Sequence, residues 1–205
     1  MLEIKSVRSE IFGPLSLSIK PGQCIAIMGK SGSGKSLFLR AIADLDPNEG
    51  EISLNAKSRD AMPASEWRRM VGLVPAESGW WADSVGDHFD NMAGVAKMLA
   101  ELDLPPEILS WQVARLSTGE RQRLALIRAL TLQPVALMLD EPTAALDRQA
   151  TACVESLIQQ QLAKGVSIIL ITHDEHQAAR LADETYLLEN GKLVKTSPEH
   201  KETSA

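Results

Sequence analysis

The chain has few cysteines, no surplus of basic residues and no long apolar run. Its two cysteines, Cys24 and Cys153, lie far apart and lack the spacing of metal ligands, so we expect reduced, buried thiols rather than a disulfide or a zinc site. The longest aliphatic runs, such as residues 168–171, are much shorter than the roughly 20 apolar residues that cross a bilayer. The N-terminus does not resemble a signal peptide, and we expect any membrane association to require a partner.

Acidic residues outnumber basic ones, 27 to 21, and the formal net charge is −6. A nucleic-acid-binding surface needs concentrated basic charge, so this balance argues against nucleic acid as the main partner, although it leaves room for local basic patches. The 205 residues, 44% of them hydrophobic, are enough for one domain with a full core, or for a domain with a small subdomain.

The order of strand and helix patterns predicts an α/β protein with two additions. Residues 1–78 contain alternating and apolar strand patterns around a glycine-rich loop, and residues 116–205 return to α/β alternation. Between them, residues 79–115 predict a helical insertion made of two segments, near 85–102 and 106–113, with no strand.

Turn signals complete the prediction at the C-terminal end. Asn190-Gly191 between two short apolar runs predicts a two-residue hairpin. The polar tail from Thr196 onward is expected to fray. We therefore expect a single domain with an α/β core at 1–78 and 116–205, an antiparallel β portion, and a helical subdomain at about 79–115.

A phosphate-binding loop is the first functional motif. It follows an apolar strand, precedes a helical pattern and fits G-x-x-x-x-G-K-[ST] with Gly29, Lys30, Ser31, Gly32, Ser33, Gly34, Lys35 and Ser36. The glycines allow successive backbone N–H groups to face phosphate oxygens, and the helix N-terminus adds partial positive charge. Lys35 is placed to reach the β- and γ-phosphates and Ser36 to bind Mg²⁺. For Lys30, a phosphate contact and a solvated side chain are both open.

An acidic pair ends a second apolar strand, after residues 137–139. In an open parallel sheet the carboxyl ends of strands line the ligand crevice, so Asp140 is a candidate ligand of Mg²⁺. Glu141 is a candidate to polarise the water that attacks a γ-phosphate.

A third motif, Leu116-Ser117-Thr118-Gly119-Glu120, opens a helix. Ser117 and the N–H of Gly119 lie where an anion can bind. Read alone, Ser117 followed by Glu120 is a simple helix cap.

Taken together and in this order, the motifs resemble those of the ATPase subunit of the ATP-binding cassette (ABC) family, and the resemblance covers nearly the whole chain. Residues 29–36 look like Walker A, residues 137–140 like Walker B with Glu141 as the catalytic glutamate, and residues 116–120 like the signature LSGGQ, with Thr118 and Glu120 as departures. The turn Ala145-Leu146-Asp147 is similar to the D-loop, and His173 is placed like the switch histidine that contacts the γ-phosphate.

The resemblance implies a P-loop NTPase (RecA-like) core and Mg²⁺-dependent hydrolysis of ATP. It implies a head-to-tail dimer, most simply of two copies of this chain, in which Lys35 and Ser36 of one subunit hold an ATP that Ser117 and Gly119 of the other subunit cover. It also implies a separate transmembrane permease as partner and a place on the cytoplasmic face of the membrane. The alternative is a soluble ABC-type ATPase that acts on nucleic acid or ribosomes.

Two positions depart from the family pattern. The segment after the strand at 71–74 contains Glu77 where the family has a glutamine, and Glu77 is a candidate to approach the metal or water. The aromatic residue that stacks on adenine has no clear equivalent. Phe12 is the nearest candidate, and a core role for it is equally open.

Trp80 and Trp81 follow directly after this segment. Adjacent side chains on a strand point to opposite faces, so the two cannot both enter the core from a strand. In the family this region faces the membrane subunit, and we predict that one of the pair helps to form a docking groove for a permease helix. The other possibility is that one lies in the core and one covers the helical insertion.

Overall fold

A computed structural model describes residues 1–196 of the chain. The predicted frayed tail lies outside these residues except for Thr196, which ends the last strand. Among the described residues, no helix is both long and apolar enough to cross a membrane.

The elements alternate much as the sequence predicts. The strands are β1 (Leu2–Arg8), β2 (Leu15–Ile19), β3 (Cys24–Met28), β4 (Glu49–Leu54), β5 (Lys57–Ser58), β6 (Val71–Val74), β7 (Ala136–Asp140), β8 (Ser167–Ile171), β9 (Glu184–Glu189) and β10 (Lys192–Thr196). The α-helices are α1 (Lys35–Ile42), α2 (Ala64–Met70), α3 (Val95–Glu101), α4 (Thr118–Thr131), α5 (Arg148–Ala163) and α6 (Glu175–Leu181).

A six-stranded sheet in the order β10-β9-β3-β8-β7-β6 forms the centre of the fold. Strands β9, β3, β8, β7 and β6 run parallel, and only β10 is antiparallel to its neighbour β9. Leu139 is level with Val74 of β6 and Leu170 of β8. The carboxyl ends of β3, β6, β7 and β8 therefore meet at one edge, where a ligand crevice is expected.

The central strands are apolar because both faces of the sheet are covered. All five residues of β7 are buried. Leu137 and Leu139 contribute to a core cluster that includes residues of α4 and α5, whereas Ala136 and Met138 contribute to a cluster with α1. Because side chains alternate along a strand, α1 and α4 lie on opposite faces of the sheet.

The predicted antiparallel β portion and the hairpin are both present. Strands β2, β1, β4 and β5 form a separate four-stranded antiparallel sheet. The turn between β9 and β10 has Asn190 and Gly191 at φ 51° and 71°. Positive φ at both central residues is what a two-residue turn matched to the strand twist requires.

The helical insertion is less helical than predicted. Only α3 is an α-helix there; residues 86–88, 106–110 and 113–115 form 3₁₀ turns, and Ser84 pairs with Gln112 in an isolated β-bridge. The prediction of one helix near 85–102 is wrong because Gly94 adopts φ 78° directly before α3, which breaks the helical path.

Two helices begin with an aspartate cap. Asp147 caps α5 by accepting a hydrogen bond from the N–H of Ala150 at 2.8 Å. Asp174 also caps α6, but Gln177 does not complete a capping box. The amide of Gln177 is buried and donates to Thr143 Oγ1 at 2.9 Å.

Candidate active site

The phosphate-binding loop connects β3 to α1, as predicted, and its glycines are conformationally necessary. Gly29, Gly32 and Gly34 have φ of 143°, 79° and 97°. A side chain at Gly29 would place its Cβ 2.5 Å from the carbonyl oxygen of Leu188. The loop thus presents its backbone rather than side chains, which is what a phosphate cradle needs.

Lys35 lies at the start of α1 with only 6% of its surface exposed. Its Nζ donates to the carbonyl oxygens of Gly29 at 2.7 Å and Lys30 at 3.0 Å, so the side chain folds over the loop. Burial lowers the pKa of Lys35, and the charges of Glu141 and Asp140 act in the opposite direction. A buried ammonium group at a loop of backbone donors suits a polyanion, because the anion offsets the cost of burial.

One further atom of the loop, the Ser33 hydroxyl oxygen, fits a bound phosphate. The hydroxyl of Ser33 is buried and has no hydrogen-bond partner within residues 1–196. A buried hydroxyl without a partner is costly, and a phosphate oxygen supplies an acceptor. The side chain of Lys30 is exposed, which matches the solvated alternative, and Ser31 and Gly32 are also exposed.

Asp140 and Ser36 lie together at the sheet edge. Asp140 ends β7 and is 6% exposed. Burial raises the pKa of Asp140, while a hydrogen bond with the side chain of Ser36 and the nearby charge of Lys35 act to lower it. Their oxygens are the ligand type that Mg²⁺ prefers, usually with phosphate oxygens and waters in the other positions. Within residues 1–196 there is no cluster of three or more His, Cys, Asp or Glu side chains that could hold a metal without such help.

Glu141 and His173 form a direct pair beside Asp140. The Nε2 of His173 lies 2.8 Å from Glu141 Oε1, and about half of the His173 side chain is exposed. Glu141 has φ 50°, uncommon for a residue with a side chain, and its N–H donates to the carbonyl oxygen of Ile171 at 3.0 Å. The structure thus brings the two predicted residues together.

The backbone of Glu141 has a partner that the sequence motifs did not single out. The amide nitrogen of Gln122, on α4, donates to the carbonyl oxygen of Glu141 at 2.6 Å. Gln122 is 8% exposed on a helix whose other buried residues are mostly apolar. A polar residue on the apolar face of an amphipathic helix is the signal that could have identified it.

The signature segment forms the N-terminus of α4 as a complete capping box. Ser117 Oγ accepts from the N–H of Glu120 at 3.2 Å, and Glu120 Oε2 accepts from both the N–H and the hydroxyl of Ser117 at 2.8 Å. A Cβ on Gly119 would lie 3.0 Å from Leu146 Cδ2 and 3.3 Å from the carbonyl oxygen of Ala145. The helix start therefore packs closely against the turn at 145–147.

The structure places Phe12, the nearest candidate to stack on adenine, in the core. Phe12 is 3% exposed and packs edge-on against Phe38, with ring centroids 5.6 Å apart. The core role, which the sequence left open, is the one the structure supports. Its neighbour Ile11 is 57% exposed, and its Cγ2 would lie 3.5 Å from a Cβ on Gly34. Ile11 is thus the exposed apolar side chain beside the phosphate loop.

A groove of about 670 Å³ runs from Ile11 along α1, lined by Leu37 and Ala41 and by the segment before β4. It begins beside the phosphate loop and is partly apolar. Glu77, by contrast, is exposed in the loop after β6. β6 ends beside β7, which places Glu77 near the same sheet edge as Asp140, but its approach to a metal stays a prediction.

A second groove, of about 290 Å³, lies between α2, β6 and α4. Trp81 lines it and is 71% exposed, whereas Trp80 packs against the core cluster under α4. Arg128 of α4 lies over both indole rings, 4.9 and 4.8 Å from their centroids, and donates twice to the carbonyl oxygen of Gly79 at 3.1 Å.

His88 is a buried residue that contacts the segment at residues 80–82 from the protein interior. It is 3% exposed, and its ring lies 4.7 and 4.5 Å from the rings of Trp80 and Trp81. Nε2 accepts from the N–H groups of Trp81 at 2.9 Å and Ala82 at 3.1 Å. Nδ1 lies 3.0 Å from the carbonyl oxygen of Ser84, so both ring nitrogens of His88 have backbone partners.

Comparison with known proteins agrees with this geometry. The sequence profile of the family described as "ABC transporter" matches residues 12–144. A protein of Rhizobium johnstonii named "Aliphatic sulfonates import ATP-binding protein SsuB 1" is 38% identical over 195 residues, covering 90% of this chain and 70% of that protein. A protein of Aeropyrum pernix named "Phosphate import ATP-binding protein PstB" is 34% identical over 214 residues, covering 90% of this chain and 83% of that one.

A solved structure of the "ATP binding subunit of ABC transporter" is similar across the whole fold. It superimposes with a TM-score of 0.85 and 26% sequence identity, over 97% of this chain and 90% of that one. The family profile covers the phosphate loop and the acidic pair, which meet at the carboxyl edge of the sheet, and also the signature segment at the start of α4. The chain therefore belongs to the ABC transporter family, as an ATP-binding subunit that hydrolyses ATP.

Proposed function

We propose that this subunit couples ATP-driven closure of a head-to-tail dimer to the movement of a substrate through a separate membrane permease, at whose cytoplasmic face it sits. One observation supports the dimer: the phosphate loop leads into α1 and the signature segment begins α4, and these helices lie on opposite faces of the sheet. A signature segment that covers an ATP would then come from a second subunit. The relatives named above are import proteins, which favours import and disfavours the nucleic-acid alternative.

The catalytic residues divide the chemistry of ATP hydrolysis between them. Lys35 and the loop N–H groups bind the β- and γ-phosphates, which positions the γ-phosphorus and stabilises charge on its oxygens. The carboxylate of Glu141 accepts a proton from the attacking water. His173, which lies 2.8 Å from that carboxylate, orients it and faces the γ-phosphate.

Mg²⁺ is the cofactor that the site fits, with Ser36 and Asp140 as its protein ligands. Its chemistry there is to neutralise charge on the β- and γ-phosphate oxygens. The raised pKa of Asp140 supports this assignment. Burial disfavours the charged carboxylate, and a bound cation would offset that cost.

In the dimer, Ser117 and the N–H of Gly119 at the exposed start of α4 cover the ATP held by the other subunit. Glu141→Gln should bind ATP and form a stable dimer, because nothing then activates the water. Sedimentation with saturating ATP and Mg²⁺ measures this. Lys35→Met on the same background is the matched control and should remain monomeric. A monomeric Glu141→Gln protein that binds ATP would contradict the head-to-tail arrangement.

The groove at Trp81 is the proposed docking site for a permease helix. Its lining is mainly apolar, with Ala125 and Ala129 of α4 on one wall, and the exposed indole adds a large anchor surface. The Arg128 guanidinium lies among the rings and suits an acidic side chain on the incoming helix.

Trp81→Ala should weaken assembly with the permease while the ATPase rate of the isolated subunit stays the same, since Trp81 touches none of the catalytic residues. Co-purification with the tagged permease measures the first and phosphate release the second. Val194→Ala removes another exposed apolar side chain, on β10, and should leave both unchanged. If Trp81→Ala protein co-purified with the permease as well as wild type does, Trp81 would not be part of the docking site.

A further inference from the structure

Gln122 is a buried polar side chain that the known motifs leave unexplained. It lies on α4 shortly after the signature segment, and its Nε2 donates to the carbonyl oxygen of Glu141 at 2.6 Å. Its Oε1 is buried and has no partner within residues 1–196. A buried amide that satisfies only half of its hydrogen-bonding capacity costs stability compared with an apolar side chain. The bond to Glu141 is the compensating feature.

Glu141 needs such support because its backbone is strained. A residue with a side chain at φ 50° stays there only when its surroundings hold it. The N–H of Glu141 bonds to Ile171, its carbonyl oxygen accepts from Gln122 and, at 3.2 Å, from the N–H of Ala144, and its carboxylate pairs with His173. Of these four partners, only Gln122 belongs to a helix, α4, which begins with the signature segment.

The start of α4 is also closely coupled to the turn after Glu141. A Cβ at Gly119 would lie 3.0 Å from Leu146 Cδ2 and 3.3 Å from the carbonyl oxygen of Ala145, so the start of α4 and the turn at 145–147 are in close contact. A displacement of the signature segment must therefore move the 145–147 turn and the Gln122 amide with it, because packed elements shift as units.

We propose that Gln122 is a positioning residue that holds the catalytic base Glu141 in place, and that it links the signature segment to the glutamate of the same chain. This rests on the proposed dimer, in which the signature segment covers the partner's ATP. Contact between Ser117 and that ATP is then transmitted through α4 and Gln122 to Glu141, which acts on the chain's own ATP. Each site thereby senses whether the other is closed.

Mixed dimers with one working site test this link. The reference dimer joins a wild-type chain to a Glu141→Gln chain, purified through two different affinity tags. In the first test dimer, Gln122→Met is in the chain that keeps Glu141. In the second, Gln122→Met and Glu141→Gln are in the same chain and the partner is wild type. The working site then uses the Glu141 of the wild-type chain, and the substituted chain contributes only its signature segment to that site.

In the first test dimer we expect kcat to fall about tenfold with KM for ATP within about twofold of the reference, the order expected when a hydrogen bond to a positioned group is lost. In the second we expect both constants to match the reference. A loss in the second dimer alone would show that Gln122 supports the signature segment, which there covers the working site, and no loss in the first would show that it does not position Glu141. Either result overturns the proposal.

Two controls keep the result interpretable. Gln161→Met removes a glutamine on α5 that is also 8% exposed. Placed in either chain of the dimer, it should change neither kcat nor KM for ATP. If Gln122→Met does not fold, Gln122→Asn replaces it: the amide is kept but is too short to reach Glu141, so the same contrast is expected. Failure of the reference dimer to form would contradict the proposed dimer instead, and the kcat of uniformly substituted protein would still report on Gln122.

Discussion

Ile11 and Phe12 are neighbours in the chain with opposite environments. Phe12 completes the core between the phosphate-loop helix and the antiparallel sheet, whereas Ile11 stands exposed at the groove along α1. We propose that the nucleotide base lies in this groove against Ile11. An aliphatic side chain offers dispersion contacts but no ring face, so it distinguishes bases poorly.

Replacing Ile11 with tyrosine should therefore strengthen ATP binding about two- to tenfold, since aromatic stacking adds roughly 0.5–1.5 kcal/mol. Calorimetric titration measures the dissociation constants of ATP and of tripolyphosphate, which lacks the base. Only the ATP constant should change. Ile11→Ala, as the matched truncation, should weaken ATP binding and again spare tripolyphosphate. An equal change for both ligands would place the base elsewhere.

Cys24 shows how burial controls reactivity at a single residue. It lies in β3 with no exposed surface, and burial, with a smaller contribution from Asp183, raises its pKa from 9.0 to about 12. The folded state then keeps a proton between pH 9.0 and about 12 that the unfolded state releases. This group therefore contributes stability below pH 9.0 that is lost as the pH rises through that window.

Alkylation with iodoacetamide at pH 8 tests the environment of Cys24, because only a thiolate reacts. We expect mass spectrometry to find Cys24 unlabelled in native protein, with any label on the half-buried Cys153, and both labelled after unfolding in denaturant. Cys153→Ala is the control and should take up no label when native. Rapid native labelling of Cys24 would contradict its burial.

At the scale of elements, the start of α4 serves two purposes with the same residues. The capping box of Ser117 and Glu120 starts the helix, and the same end is proposed to cover a partner's phosphate. The two roles do not conflict, because a helix N-terminus has more N–H groups than one cap can satisfy and carries partial positive charge.

Substitutions at Ser117 should separate the two roles. Asn is a good N-cap without a charge, so Ser117→Asn should melt within about 2 °C of wild type, whereas Ser117→Ala should lose about 1 kcal/mol, or roughly 2–4 °C, and Ser117→Asp should lose stability as well because its carboxylate lies against that of Glu120. Only Ser117→Asp should prevent the ATP-dependent dimer in the Glu141→Gln background, because its charge opposes the γ-phosphate. Calorimetry and sedimentation measure these effects. Dimerisation of Ser117→Asp equal to that of Ser117→Asn would count against phosphate contact.

At the scale of the whole molecule, the sheet divides the site into two surfaces. The phosphate loop, Asp140, Glu141 and His173 gather at the carboxyl edge of the sheet, and the loop leads into α1, while Ser117 begins a helix on the opposite face. In the proposed dimer, a second copy in head-to-tail orientation supplies the missing half. Closure of that proposed dimer depends on ATP at the interface, which would convert a chemical event into a movement that a permease can use.

Hydrogen exchange should reveal both halves of this interface at once. In Glu141→Gln protein, ATP and Mg²⁺ should slow amide exchange in residues 29–36 and also in residues 116–120, because each ATP contacts both segments. Lys35→Met on the same background should show neither effect. Protection confined to residues 29–36 in a protein that binds ATP would mean that the signature segment does not cover the nucleotide.

Much of the fold and the site can be predicted from sequence because the signals are local. The glycines of the phosphate loop, the cap at Asp147 and the hairpin at Asn190 each depend on the backbone conformation of a few adjacent residues. The insertion at 79–115 was harder, since its short 3₁₀ turns and single α-helix are held mainly by packing against α4 rather than by helical periodicity.

The sequence by itself determined the α/β order, the phosphate loop and the identity of the acidic pair, because adjacent residues alone set these features. The tertiary structure decided which side chains meet: Phe12 enters the core and leaves Ile11 exposed, Glu141 pairs with His173, and Gln122 reaches the Glu141 carbonyl from another helix. These contacts join residues far apart in the chain. They depend on sheet order and on which face each helix covers, and no local pattern specifies either.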